Sequence, residues 1–297
     1  MGQIKISFCS TCMNRRSQLQ KTLVSNFELI RQFEEEVELV LVNFIKDDEG
    51  ELIDDWINSL DKPANFKYFV SRDLKHWHAP TAKNTAHLQA DGRFLINLDC
   101  DNFIAKETVE KLLSLNEKEL DRTIFSGFTG HLVIKKVKVK PRWKDAIDSL
   151  RLRAHMSEAF SRGSYQPRWG RLVIRTVRDS MGTDFNGTYG HIGLPKQVFC
   201  LIGGYNQELP AMGGQDKDLM WRAYNLQGMG LLQIPQPKSK WPVENDKSAS
   251  LQNSVNKGGN WDDINKAATG RALDAIKKRE IIANVGLATG VPVVRVW

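Results

Sequence analysis

Residues 94–104 read FLINLDCDNFI, an apolar run that closes on two carboxylates, Asp99 and Asp101, one residue apart. The run has the length and continuity of a strand buried on both faces, and Asn102 suits the bend that follows. Side chains on a strand repeat every two residues, so the pattern predicts that Asp99 and Asp101 point to one side and Cys100 to the other. Two like charges aimed at one spot repel by about 1 kcal/mol at ~4 Å in water and by several times that in a partly buried site, so the pattern calls for positive charge. Mg²⁺ or Mn²⁺ would supply it, because these ions favour oxygen ligands and complete their shells with substrate phosphates and water. A nucleoside diphosphate is then the natural third party. The bland alternative is an Asp-rich turn with no ligand.

Outward from this stretch the chain alternates. IKISFC (4–9) reads as a strand, and RRSQLQKTLVSNFELIRQF (15–33) as a helix with Leu19, Leu23, Phe27 and Ile30 on one face. VELVLVNF (37–44) and FKYFV (66–70) are further apolar strands, separated by the helix-like GELIDDWINSL (50–60); APTAKNTAHLQADG (79–92) is a helix closing on glycine. Alternating helices and continuously apolar strands predict an α/β fold with a mostly parallel sheet covered on both faces. Ligands bind such sheets beyond the carboxyl ends of the strands, where Asp99 and Asp101 fall. Later segments predict a helix near 108–115, a helix entered through two glycines in GGQDKDLMWRAYNLQG (213–228), a strand in GLLQIP (230–235), a helix over 261–283 and an exposed or docked tail, VPVVRVW (291–297). No internal repeat or low-complexity tract interrupts the series.

The 297 residues, 41% of them apolar, suffice for one large core. No segment has the length and hydropathy of a membrane span, and MGQIKISFCS lacks the features of a signal peptide, so a cytoplasmic protein is expected. Four cysteines fit free thiols there, and the Cys9–Cys12 CxxC has no second pair to make a zinc site. Charge is uneven. Residues 131–178 hold thirteen Lys or Arg against three acids, a net +10, while the rest of the chain carries −3. Trp143, Tyr165 and Trp169 interleave with those cations, a composition suited to an anionic partner, glycan or nucleic acid, although charged runs also serve as solvated surface.

An apolar strand ending in DxD resembles the first motif of haloacid-dehalogenase-type phosphatases, in which the two aspartates are nucleophile and general acid. Here, however, three strand-helix units precede the motif, Asn102-Phe103 follow it, and no matching later Ser/Thr and Lys are evident. A wider set of residues resembles family 2-like glycosyltransferases of the GT-A fold. Lys83-Asn84 on a helix, Ala90-Asp91-Gly92 and then Asp99-Cys100-Asp101 reproduce the order of their donor half. Gly203-Gly204-Tyr205-Asn206 followed by Gly213-Gly214-Gln215-Asp216 looks like their acceptor half, including the block of galactosyltransferases.

The resemblance spans residues 4–235 and implies a GT-A domain over 1–235, with a nucleotide-sugar half (1–104), an acceptor half (105–235) and a C-terminal helical extension (236–297). It implies a metal-dependent, inverting transfer from a nucleotide sugar, a UDP-sugar foremost, to an acceptor hydroxyl, with Mn²⁺ or Mg²⁺ on Asp99 and Asp101. Donor contacts are assigned to Asn43, Arg72, Lys83, Asn84 and Asp99, and the loop His76-Trp77-His78 falls at the expected mouth of the site. Asp216 is the candidate base, because the first turn of a helix favours an ionised carboxylate, and Asp218 is held in reserve. Trp221 is assigned to core packing. The chain departs from the pattern in three places. Asn43 stands where an acid is common, Met212 and Gln215 where galactosyltransferases carry tryptophan and glutamate, and no histidine follows His191 to serve as a further metal ligand. Asn245, Asp246 or water would take that last role, or the DxD pair would act alone.

Overall fold

The computed structural model describes residues 4–128, 190–226, 228–244, 251–278, 280–285 and 289–297. The basic stretch 131–178, Asn245 and Asp246 lie outside the described residues.

The first half builds the parallel sheet that the sequence predicts. Strands β1 (Ile6–Cys12), β2 (Val37–Phe44), β3 (Phe66–Ser71) and β4 (Phe94–Asp99) alternate with helices α1 (Arg16–Ile30), α2 (Asp48–Asn58) and α3 (Ala79–Leu88). β4, β1, β2 and β3 lie side by side and parallel. All of β1 and β2 is buried, the polar Ser7, Ser10, Thr11, Glu38 and Asn43 included, and β2 accordingly reads as a largely apolar run. One face of the sheet (Phe8, Leu39, Leu41, Tyr68, Ile96) packs on Leu23, Phe27 and Ile53 of α1 and α2. The other face (Val40, Val42, Leu95) packs on Ala82 and Ala86 of α3 and on Phe199, Leu219 and Trp221 from later in the chain. Each large apolar side chain so buried contributes about 1.5–3 kcal/mol. Cys9 and Cys12 divide between these two faces, so the CxxC spacing on a strand separates the thiols.

The chain then adds α4 (Lys106–Leu113), the short α5 (Glu117–Leu120), β5 (Thr123–Phe128), β6 (Ile192–Pro195), α6 (Lys196–Leu201), α7 (Gln215–Tyr224), β7 (Gly230–Pro235), α8 (Trp261–Lys278) and β8 (Val294–Arg295). Among the described residues eight strands run in the order β7-β5-β6-β4-β1-β2-β3-β8. β6 is antiparallel to β4 and β5, and β8 is antiparallel to β3. The tail expected to be exposed or docked is thus docked at the sheet edge, and the helix expected over 261–283 ends at Lys278.

Residues beyond 235 return to the body of the fold. The Ala283 amide donates to the Ile202 carbonyl, and Asn284 Nδ2 donates to the carbonyls of Gly203 and Tyr205. Gly213 and Gly214 enter α7 with φ of 88° and 71°, and a side chain at either position would strike Asn265 or Ala268 of α8. That close approach fixes where α7 begins, and with it the position of Asp216. Among the described residues no helix is long and apolar enough to cross a membrane.

Candidate active site

A pocket of about 150 Å³ opens at the carboxyl ends of β1 and β4, where the parallel sheet predicts it. Asp99, Asp101, Lys83 and Gln215 line it, together with Thr11, Arg15, Trp77, Met212 and Asn253. β4 stops at Asp99, and residues 100 and 101 form a turn, so the strand alternation expected across Asp99-Cys100-Asp101 does not hold. As a result Cys100 also borders the pocket.

At its centre is Lys83, a buried lysine on α3. Its Nζ lies 3.3 Å from Asp99 Oδ1 and 3.1 Å from Asp216 Oδ1, and 5.4 Å from the ring centroid of Tyr205. Burial works against the ammonium, but Asp216 and Asp99 more than offset it, so the lysine holds its proton more tightly than usual. The two carboxylates respond differently. Burial pushes Asp99 up, but Lys83 and a hydrogen bond from Asn97 hold it below the ordinary carboxylate range. Asp216 is raised by burial and by Asp99, against the pull of Lys83. The helix-terminus argument predicts a stabilised anion at Asp216; burial and a neighbouring carboxylate reverse that outcome. A carboxylate with raised proton affinity is better matched to take a proton near neutral pH. Asp101 is served by a separate cation, with Arg15 Nη2 3.5 Å from its Oδ2.

Several assigned residues are elsewhere. Asn43 is fully buried beneath α2, donating to the Gly50 carbonyl and the Tyr68 hydroxyl, and is not among the residues lining the pocket. Asn84 is equally buried and spends its amide on the backbone of Tyr205, with Nδ2 donating to O at 2.8 Å and Oδ1 accepting from N at 2.7 Å. Arg72 is exposed and pairs with Glu51 at 2.6 Å, outside the pocket lining. Asp218 is buried against Arg222, whose guanidinium also binds the carbonyls of Ile202 and Gly204, so the reserve base is a brace for the glycine turn. In the loop before α3, Trp77 lines the pocket, His76 is exposed and His78 caps the helix by accepting from the Thr81 amide. Trp221 is in the core.

Arg15 and Asn253 were not singled out in the sequence. Arg15 had a signal, since the double arginine 15–16 directly follows the first strand and must fall at the same end of the sheet as Asp99. Asn253 had none: it reaches the pocket by donating to the Met13 carbonyl, 240 residues earlier.

The family pattern implies a divalent metal. Among the described residues no group of three His, Cys, Asp or Glu converges to hold one. Asp99 and Asp101 nevertheless offer hard oxygen donors on one pocket, with side chains 39% and 20% exposed. That donor set fits an ion of the Mg²⁺ type, which needs one or two carboxylates and draws the rest of its shell from phosphates and water.

Residues 7–156, half of the chain, match the family model described as "Glycosyl transferase family 2". The chain belongs to glycosyl transferase family 2. It is therefore a glycosyltransferase, and the dehalogenase-type alternative is set aside. The family 2 chain also resembles crystal structures of S. aureus TarS 1-349. One shows 16% identity and a TM-score of 0.47, covering 91% of this chain and 72% of that one. The complex with UDP gives 15%, 0.45, 92% and 71% in the same terms. The complex with UDP-GlcNAc gives 16%, 0.46, 91% and 73%. No curated protein matches this family 2 chain in sequence.

Proposed function

We propose that this protein transfers a sugar from a nucleotide-sugar donor, a UDP-sugar in the first instance, to an acceptor hydroxyl with inversion, using Asp99 and Asp101 for a divalent metal and Asp216 as base. The observation that carries the reading is that Lys83, which lines the pocket, lies 3.3 Å from Asp99 and 3.1 Å from Asp216, a residue next to the lining Gln215. Such a transfer needs a neutralised leaving diphosphate and a proton acceptor for the attacking hydroxyl. A metal held by Asp99 and Asp101 supplies charge neutralisation when bound. Lys83 and Arg15 add fixed positive charge to the same pocket. Asp216, kept basic by burial and by Asp99, takes the proton of the incoming hydroxyl. Inversion follows from the family resemblance and from Asp216 being the single candidate base.

The test is a panel of nucleotide sugars incubated with Mn²⁺ and scored for donor binding and slow hydrolysis. Binding of at least one donor, lost in Asp101→Ala, is expected; no response to any donor would overturn the reading. For the acceptor, the +10 of residues 131–178 supports an anionic partner, a glycan or a nucleic acid. Binding that weakens steeply with salt, and that is lost when Lys135, Lys136, Lys138 and Lys140 are neutralised together, is the expected result.

A further inference from the structure

Leu95, Asn97 and Asp99 share one face of β4, the face turned to the pocket, but Asn97 is 1% exposed and has no route to a ligand of its own. A polar amide among the Phe, Leu and Ile of β4 costs free energy unless its hydrogen bonds are met. Its two N–H donors are met by two groups that bear on Asp99. Asn97 Nδ2 donates to Asp99 Oδ1 at 2.9 Å and to the Gly190 carbonyl at 2.6 Å.

Gly190 forms the other side of the arrangement. Its φ is 82°, and a Cβ placed on it would lie 2.2 Å from Asp99 Oδ2 and 2.5 Å from Asp99 Cγ. The Asp99 carboxylate therefore occupies the space that any other residue at 190 would fill. One carboxylate is thus held from two directions, by an amide donor on its own strand and by a side-chain-free notch on the segment leading into β6. The same amide ties the notch to the strand.

We propose that Asn97 is a positioning residue for the glycosyl transfer: with Gly190 it fixes the side-chain orientation of Asp99, so that Asp99 meets the donor without reorganising. The inference rests on the reading of Asp99 as a donor-side ligand. Holding a charged ligand in its productive geometry before binding removes an ordering cost, so losing the latch weakens donor binding.

The probe is whichever of UDP, GDP and CDP the wild type binds most tightly in the presence of Mn²⁺, measured by calorimetry. Asn97→Leu is expected to weaken that binding about tenfold or more, the scale of one lost hydrogen bond to a charged group. Gly190→Ala is expected to do the same by an independent route and stands in if Asn97→Leu does not fold. A merely structural role is separated by repeating Asn97→Leu in an Asp99→Asn background. A residue acting through Asp99 then has little left to remove, and the two effects fail to add. Equal binding by the variants, or the same further loss in the Asp99→Asn background, overturns the inference. A wild type that binds none of the three nucleotides overturns the functional reading, and this inference with it.

Discussion

The side chain of Asn84 grips both polar backbone atoms of Tyr205, accepting from its N–H at 2.7 Å and donating to its carbonyl at 2.8 Å. One helix position thereby fastens the glycine turn of the second half to α3, and the preceding residue, Lys83, meets Asp216. Asn84→Leu leaves the buried Tyr205 amide unpartnered, while the Tyr205 carbonyl keeps its bond from Asn284. A loss of about 1–3 kcal/mol in stability is expected by urea denaturation. An unchanged midpoint would show that the turn is held elsewhere.

Asp216→Asn keeps the shape of the side chain and removes its basicity. Transfer should fall by about 10²–10⁴-fold while donor binding is retained, whereas Asp101→Ala should remove metal-assisted donor binding. Isothermal titration with donor and a product assay separate the two. Near wild-type transfer by Asp216→Asn would show that another group takes the proton, and the burial of Asp218 against Arg222 leaves that residue unsuited to it.

The rate should rise with pH as Asp216 loses its proton. Because Asp216 is raised by burial and by Asp99, the midpoint is expected above the ordinary carboxylate range. Lys83 opposes that rise, so Lys83→Met should move the midpoint to still higher pH as well as lowering the maximum. A pH profile of kcat for the two proteins decides this; a midpoint that moves down would contradict the assigned ion pair.

Acid should destabilise the fold through two buried histidines. Burial lowers His87 to about 3, against its bond to the Lys83 carbonyl, and lowers His191 to about 4, against the attraction of Asp99. Both are neutral when folded, and the unfolded chain takes up their protons near pH 6.5. Between about pH 6.5 and 4 the unfolded state therefore binds more protons, so stability falls as pH falls through that window. Melting temperature measured from pH 7 to 4 should drop less steeply in His191→Gln than in wild type. Parallel curves would exclude His191 as a source of the dependence.

The sheet was legible because burial on both faces leaves a plain mark, a largely apolar run, in β2 and β4. Lys83, Asp99 and Asp216 were legible because their places, a helix, a strand end and a helix start, fix which way they can reach. The structural bonds of Asn43 and Asn84 were not legible, because an asparagine beside a site satisfies buried backbone groups as readily as it binds a ligand, and residue type does not separate the two. The DxD alternation failed because the strand stops one residue before Cys100, and strand ends are the least determined part of any periodic pattern. Asn253 had no local signal, since its role depends on closure of the chain over 240 positions.

That closure has a consequence in time. A chain is made from its N-terminus, so β1 to β4, with Lys83 and both carboxylates of the DxD turn, exist well before Asn253. At roughly 5–20 residues per second, the 152 positions from Asp101 to Asn253 correspond to about 8–30 s of synthesis. During that interval the nascent protein carries its charged centre without the wall that Asn253 adds. The completed pocket is a late event of translation, and the ribosome-bound chain is the form in which that centre stands most open to solvent.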